Sequence, residues 1–230
     1  MYAWPVYAET LKSGIVTKQG NKYGQTYCTS YGKSRCHPMT QKIEAHDTLS
    51  LMFNCDGTLP KMIVDKSKEQ SLGEFTRKCR EAECHLYNSK TYSPWSHMAG
   101  GCIQELKRGS SRKFINTGSP KRLWDHCIEL QALIWSHTVH SNYGLDGKVP
   151  KTCMNGHNDD ISNICKYYWY EWVMFSDQPN NYPYFPVILR RFLGPAIDVV
   201  SSMTYKILKA NGKYVCRTTV HLLKQTELAF

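Results

Sequence analysis

The sequence contains no Cys-x-x-Cys pair, although it holds ten cysteines, at positions 28, 36, 55, 79, 84, 102, 127, 153, 165 and 216. That excludes a zinc ribbon or a thioredoxin-type redox motif. No apolar run approaches the ~18 residues of a membrane span. Residues 1–10 lack both a basic stretch and a long apolar core, so no signal peptide is expected. The cysteines are therefore read as reduced thiols of an intracellular protein, several of them on apolar helix faces. Acidic residues are scarce: 19 Asp and Glu stand against 29 Lys and Arg, a net charge of +10. That balance favours a polyanion as partner, nucleic acid first, over a merely solvated basic surface. Most of the excess lies in the first 125 residues. No internal repeat is visible.

What is present is enough for a real core. Hydrophobic residues make up 41% of the 230 and aromatics 12%, which suits one domain of moderate size and a smaller second one. Residues 2–10 read as a strand ending near Glu9. Residues 22–31 alternate, with Tyr23, Gln25, Tyr27, Thr29 and Tyr31 on one face, and 35–39 form a third strand. These three make an antiparallel meander. Thr40 can cap a helix to about Phe53, closed by Asp56-Gly57. The run 59–65 suits a central strand buried on both faces, with Asp65 at its end. Ser71 and Glu74 form a capping box for a helix carrying Leu72, Phe75, Cys79 and Ala82 inward. A short strand follows at 84–87. Pro94 opens a helix that Gly109-Ser110-Ser111 closes or kinks. Ser119-Pro120 starts another, with Leu123, Trp124, Cys127 and Leu130 inward.

Residues 142–163 shift to Gly, Asn, Asp and Pro and read as a linker or irregular wrap. Four β-like runs follow, at 167–175, 187–193, 204–209 and 214–219. The last two flank Asn211-Gly212, a strong hairpin signal. The expected division is 1–141 as an α/β core, 142–163 as linker and 164–223 as a small all-β barrel.

Three strands, helix, strand, helix, strand, helix, helix is the element order of a ribonuclease-H-like mixed five-stranded sheet with flanking helices. In that fold carboxylates from the first and fourth strands and a later helix hold two divalent metals about 3.5–4 Å apart. Hard Mg²⁺ requires such oxygen ligands. Glu9 and Asp65 are the candidates, the alternatives being an exposed edge residue and a strand-end carboxylate capping a turn. A nuclease using Glu9, Asp65 and either Asp125 or Glu105 is a further reading. His137 and His140, at i and i+3, are better read as a helix end with satisfied histidines than as metal ligands.

Specific segments then carry a resemblance: Gly20-Asn21-Lys22-Tyr23-Gly24-Gln25, Pro38-Met39, 61–73, Tyr92-Ser93-Pro94-Trp95, Glu105-Leu106-Lys107-Arg108, and Ser119-Pro120-Lys121-Arg122-Leu123-Trp124-Asp125-His126. Over about 7–221 the chain resembles the integrase of copia-type retrotransposons, and 164–223 looks like the SH3-like barrel that follows its core. The resemblance implies DNA integration by an Asp, Asp, Glu triad with Mg²⁺ or Mn²⁺, a DNA partner, a nuclear location if functional, and leaves a homo-oligomer open. The family's first Asp falls on Glu9, whose longer side chain displaces the oxygens. Its second falls on Asp65, followed by the cation Lys66. Its Glu falls on Gly100, or on Gly101 in the adjacent register. Glu105 lies about 6 Å further along the helix and substitutes only if the helix slides by a turn. The implied activity is therefore impaired and metal binding doubtful. No Cys/His zinc segment precedes the core, as expected of a truncated, degenerate copy.

Two patches complete the reading. Lys107, Arg108, Arg112, Lys113, Lys121 and Arg122 form a basic run that contacts DNA phosphates or is a solvated face. Tyr167-Tyr168-Trp169-Tyr170-Glu171-Trp172 is a base-stacking platform or, better, barrel core.

Overall fold

The structure, a computed structural model, describes residues 5–65, 67, 70, 73–89, 98–176, 187–197, 199 and 203–223. Ser71 and Leu72 of the expected capping box, Lys66, and Tyr92-Ser93-Pro94-Trp95 lie outside the described residues. The chain divides into two compact units, 1–112 with 121–159 and 113–120 with 160–230.

The first unit is built on a mixed sheet. Strands β1 (Val6–Lys12), β2 (Tyr23–Thr29) and β3 (Ser34–Met39) form the expected meander, and β4 (Lys61–Val64) and β5 (His85–Asn88) extend it in the order β3-β2-β1-β4-β5. β1 runs antiparallel to β2 and parallel to β4, and β4 is parallel to β5. β1 does not stop at Glu9. It continues to Lys12 because Thr10, Leu11 and Lys12 go on pairing with Gln25, Gly24 and Tyr23 after β4 has ended. β4 is interior to the sheet, but only Met62 and Val64 are fully buried; Lys61 and Ile63 are half-buried.

Helices α1 (Ala45–Asp56) and α2 (Glu74–Glu81) cover one face. Val6, Ala8, Met62 and Val64 of the sheet pack there with Leu49, Met52, Phe75 and Cys79 in one core. A 3₁₀ turn, Lys42–Glu44, precedes α1. Thr40 does not cap that helix. Its N–H donates 2.9 Å to Glu44 Oε2 instead, and Gly57 ends α1 with its N–H on Phe53 O at 2.9 Å.

The other face carries α3 (Met98–Thr117) and α4 (Trp124–Ser136). The Cys102 thiol on α3 is buried next to that of Cys28 on β2. Ser34 N–H on β3 donates to Ser136 Oγ of α4 at 2.9 Å. The expected stop at 109–111 is absent: α3 runs on to Thr117, where Gly118, at φ 62, takes the helix-ending position.

Residues 142–159 belong to the first unit and include α5 (Pro150–Asn155), opened by Pro150. Asp159 gathers Lys151, His157 at 3.2 Å and His137 at 3.7 Å. A short α6 (Ser162–Cys165) begins the long segment of the second unit. That unit holds an antiparallel sheet of five strands rather than four: β6 (Trp172–Ser176), β7 (Val187–Pro195), β8 (Tyr205–Leu208), β9 (Tyr214–Arg217) and β10 (Val220–Leu222), ordered β10-β6-β7-β8-β9. The β8–β9 hairpin forms at Asn211-Gly212, Gly212 adopting φ 76. The aromatic run divides. Tyr167 and Trp169 are buried, Tyr170 lies outside the strand, and Tyr168 is 82% exposed.

Candidate functional site

The parallel register of β1 and β4 pairs Val6 with Met62, Tyr7 with Ile63 and Ala8 with Val64. Continued by one step past the end of β4, that register sets Glu9 beside Asp65, at the strand spacing of about 4.8 Å. Val6 and Ala8 point into the α1–α2 core, so Glu9, the alternate residue, projects to the face that α3 covers. Asp65 is exposed and Glu9 half-buried.

α3 brings position 100 to Glu9. A Cβ built on Gly100 would stand 3.2 Å from Glu9 Oε2, whereas one on Gly101 would meet nothing within 4 Å. Of the two registers left open by the sequence, Gly100 is the glycine that faces Glu9. α3 is seated there by Ala99, Cys102, Ile103 and Leu106, all buried. Beneath this face the neighbouring Cys102 thiol and burial hold the Cys28 thiol well above the ordinary range, and burial pushes Cys36 up to about 12.

Gln70, which reads in the sequence as an ordinary polar side chain, is tied to the strands beside Glu9. Gln70 is fully buried, and its amide donates to Gln25 Oε1 at 3.0 Å and to Thr10 Oγ1 at 3.3 Å. Thr10 Oγ1 donates to Gln25 Oε1 at 2.8 Å. Thr10 is the neighbour of Glu9, so this cluster fixes the chain on both sides of the carboxylate pair. Each member is separated by a strand pairing or a loop, and no spacing rule joins them.

The remaining candidates are not placed with the pair. Asp125 is 1% exposed; Asn21 Nδ2 donates to its Oδ2 and the His126 N–H to its Oδ1, both at 2.9 Å. Both oxygens thus serve the start of α4. Glu105 accepts from Arg108 Nη1 at 2.8 Å. His137 Nδ1 and His140 Nε2 bond the carbonyls of Leu133 and Trp135, each at 2.8 Å, at the end of α4. Lys107, Arg108 and Arg112 are exposed on α3, Lys121 and Arg122 are exposed in the 3₁₀ turn before α4, and Lys113 is half-buried. Lys107 lies two turns from Gly100 on the same helix face, about 10 Å along the axis.

The donor set does not fit a two-ion centre. The strand register sets Glu9 next to Asp65, and the helix position that faces Glu9 is a glycine. Among the described residues no group of three His, Cys, Asp or Glu side chains is arranged to hold a metal ion. Among those residues, too, no helix is long and apolar enough to cross a membrane.

No family model matches the sequence, and no curated protein matches it. Solved structures do. The chain is similar to one from the simian T-cell lymphotropic virus intasome, solved in complex with the PP2A regulatory subunit B56 gamma, with a TM-score of 0.52 and 10% identity over 92% of this chain and 77% of that one. It is also similar to the HTLV-2 integrase catalytic core domain in complex with magnesium (dimeric form), with a TM-score of 0.50 and 11% identity over 66% of this chain and 95% of that one. With the sheet order and flanking helices, these place the chain in the integrase-core version of the ribonuclease-H-like fold.

Proposed function

We propose that this chain is a DNA-binding protein derived from a copia-type integrase, in which metal-dependent strand transfer has been lost. The observation that carries the reading is Gly100. Its missing side chain would point at Glu9, where the family's Glu belongs. Without that ligand the pair Glu9 and Asp65 cannot hold two ions across a phosphodiester, and the chain keeps only what its cations do. Lys107, Arg108 and Arg112 are the phosphate-contacting residues, supported by Lys113, Lys121 and Arg122. Contacts of this kind position DNA without reading its sequence. Nuclear action follows from a DNA partner, and self-association belongs to the same reading.

The test is a strand-transfer and end-processing assay with Mg²⁺ and with Mn²⁺, run beside duplex binding. Salt-sensitive duplex binding with no cleavage or joining is the expected result. Transfer that survives Asp65→Asn sinks the site assignment. Absence of duplex binding at low salt sinks the DNA-binding reading.

A further inference from the structure

α2 ends in a backbone motif that sets two thiols against each other. The Cys84 N–H donates to Cys79 O at 2.8 Å and the Glu83 N–H to Arg80 O at 3.0 Å. Glu83, between the two acceptors and Cys84, adopts φ 55. Two such bonds closing on a left-handed residue are the Schellman end of a helix, which brings the side chains at its outer positions into contact. That contact is ordinarily apolar. Here the two positions are Cys79 and Cys84. Both belong to the core that α1 and α2 make with the sheet, Cys79 fully buried and Cys84 4% exposed.

The two thiols differ in readiness to react. The neighbouring Cys79 thiol lowers the pKa of Cys84 below its ordinary value, whereas Cys84 and burial raise that of Cys79. The thiolate is the nucleophilic form, so Cys84 is the sulfur that reacts first. Its surroundings also open more easily than the rest of the core. The left-handed position that closes a helix is normally a glycine, and Glu83 holds it with a side chain, at a cost in strain. That strain lowers the cost of opening the end of α2, which gives a small oxidant access to Cys84. When the turn closes again, its two backbone bonds return Cys79 to Cys84.

We propose that Cys79 and Cys84 are a redox couple that a hydroperoxide closes to a disulfide. The Cys84 thiolate attacks one oxygen of hydrogen peroxide. The S–O bond forms, the O–O bond breaks, and the departing hydroxide takes up the proton lost by Cys84 and leaves as water. Cys79 then attacks the sulfenic sulfur. The S–S bond forms, the S–O bond breaks, and the hydroxyl leaves with the Cys79 proton as a second water. The two thiols lose two electrons and the peroxide gains them; a dithiol reverses the change. The bond staples the end of α2 to the start of β5, since Cys84 precedes His85, whose N–H donates to Pro60 O at 2.9 Å. It uses neither the carboxylates nor the cations of α3, so it stands whether or not the DNA-binding reading holds.

The experiment treats the full, reduced chain with hydrogen peroxide, alkylates the remaining thiols and reads a tryptic digest by mass spectrometry. Cleavage after Lys78 and Arg80 separates the two cysteines, so the bond joins residues 79–80 to residues 81–90. The joined species is lighter than the two free peptides by two hydrogen atoms. It is expected to form with peroxide and to disappear with dithiothreitol. The same treatment should raise the melting temperature by a few degrees, an increase absent from Cys84→Ser, because the cross-link restricts the unfolded chain. Cys79→Ser should leave Cys84 as a sulfenic acid that dimedone captures, and Cys84→Ser should leave Cys79 unoxidised. Failure to find the joined peptides at a peroxide dose that oxidises the exposed Cys55 and Cys165 overturns the proposal, and that result needs no variant to fold. Dimedone capture at Cys79 in Cys84→Ser as strong as at Cys84 in Cys79→Ser overturns the order of attack.

Discussion

Asp56 carries an unusual share of buried charge. Its Oδ1 accepts from Lys33 Nζ at 2.8 Å and its Oδ2 from Arg35 Nε at 2.6 Å. Burial alone would raise its pKa, but Arg35 and Lys33 together hold it below the ordinary 3.8. A carboxylate depressed in the folded state contributes stability above its unfolded pKa and loses it as the pH falls through the folded one. Wild-type stability should therefore drop below about pH 4, and Asp56→Asn should flatten that limb while costing about 3 kcal/mol at neutral pH by leaving Lys33 buried without its charge partner. Urea melts across pH would show it; an unchanged acid limb in the variant would remove Asp56 from the account. Gln70 makes a second test at this scale. Gln70→Leu keeps the bulk but leaves Thr10 and Gln25 without its amide, and should cost about 1–3 kcal/mol. The sequence marks Asp56 only as part of a helix stop and Gln70 not at all, because each acts through partners that only the folded sheet assembles.

α3 shows what a helix's glycines mean once its neighbours are known. By sequence, Gly109-Ser110-Ser111 reads as a stop or a kink, and glycine does favour helix ends. In the fold Gly109 lies against α4, where a Cβ would come within 2.4 Å of Gln131 Cδ, and Gln131 is itself buried. A Cβ there would force the buried Gln131 amide to shift, and with glycine the helix passes through. Gly101 has nothing within 4 Å of its Cβ position, and Gly100 has only the flexible end of Glu9. Gly101 and Gly109 should separate by sign. Gly101→Ala should raise stability by about 0.5–1 kcal/mol, as an interior helix position released from glycine does. Gly109→Ala should lower it by about 1–3 kcal/mol through overpacking. Thermal melts of the two variants decide it, and a stabilised Gly109→Ala would mean that α4 can move aside. β1 gives a similar lesson. Apolar and aromatic residues mark a strand at 2–10, but the true end at Lys12 is fixed by β2, a partner the local pattern does not contain.

Across the whole molecule, the order of elements was legible because each is short, punctuated by Gly, Pro or Asn, and carries the period of its own structure. The mixed sheet followed from that order. The candidate site was legible only in part. Asp65 and Glu9 sit on strands whose register can be argued, but the glycine that faces Glu9 could be distinguished from its neighbour only once α3 was docked. The basic residues of α3 separate binding from chemistry. If duplex binding runs through phosphates at Lys107, Arg108 and Arg112, replacing all three by alanine should make the plot of log affinity against log salt shallower by about 2–3. Glu9→Asp combined with Gly100→Glu should leave that slope almost unchanged, because the one added carboxylate lies about 10 Å along the axis from Lys107, about a Debye length in ordinary salt. The same double variant should bind Mg²⁺ or Mn²⁺ measurably by calorimetry where the natural chain binds far more weakly, since only then do three oxygen ligands meet. Metal binding gained without a change in salt slope would show that the two activities rest on separate residues of one helix. Metal binding as weak in the double variant as in the natural chain would mean that position 100 is not where a third ligand belongs.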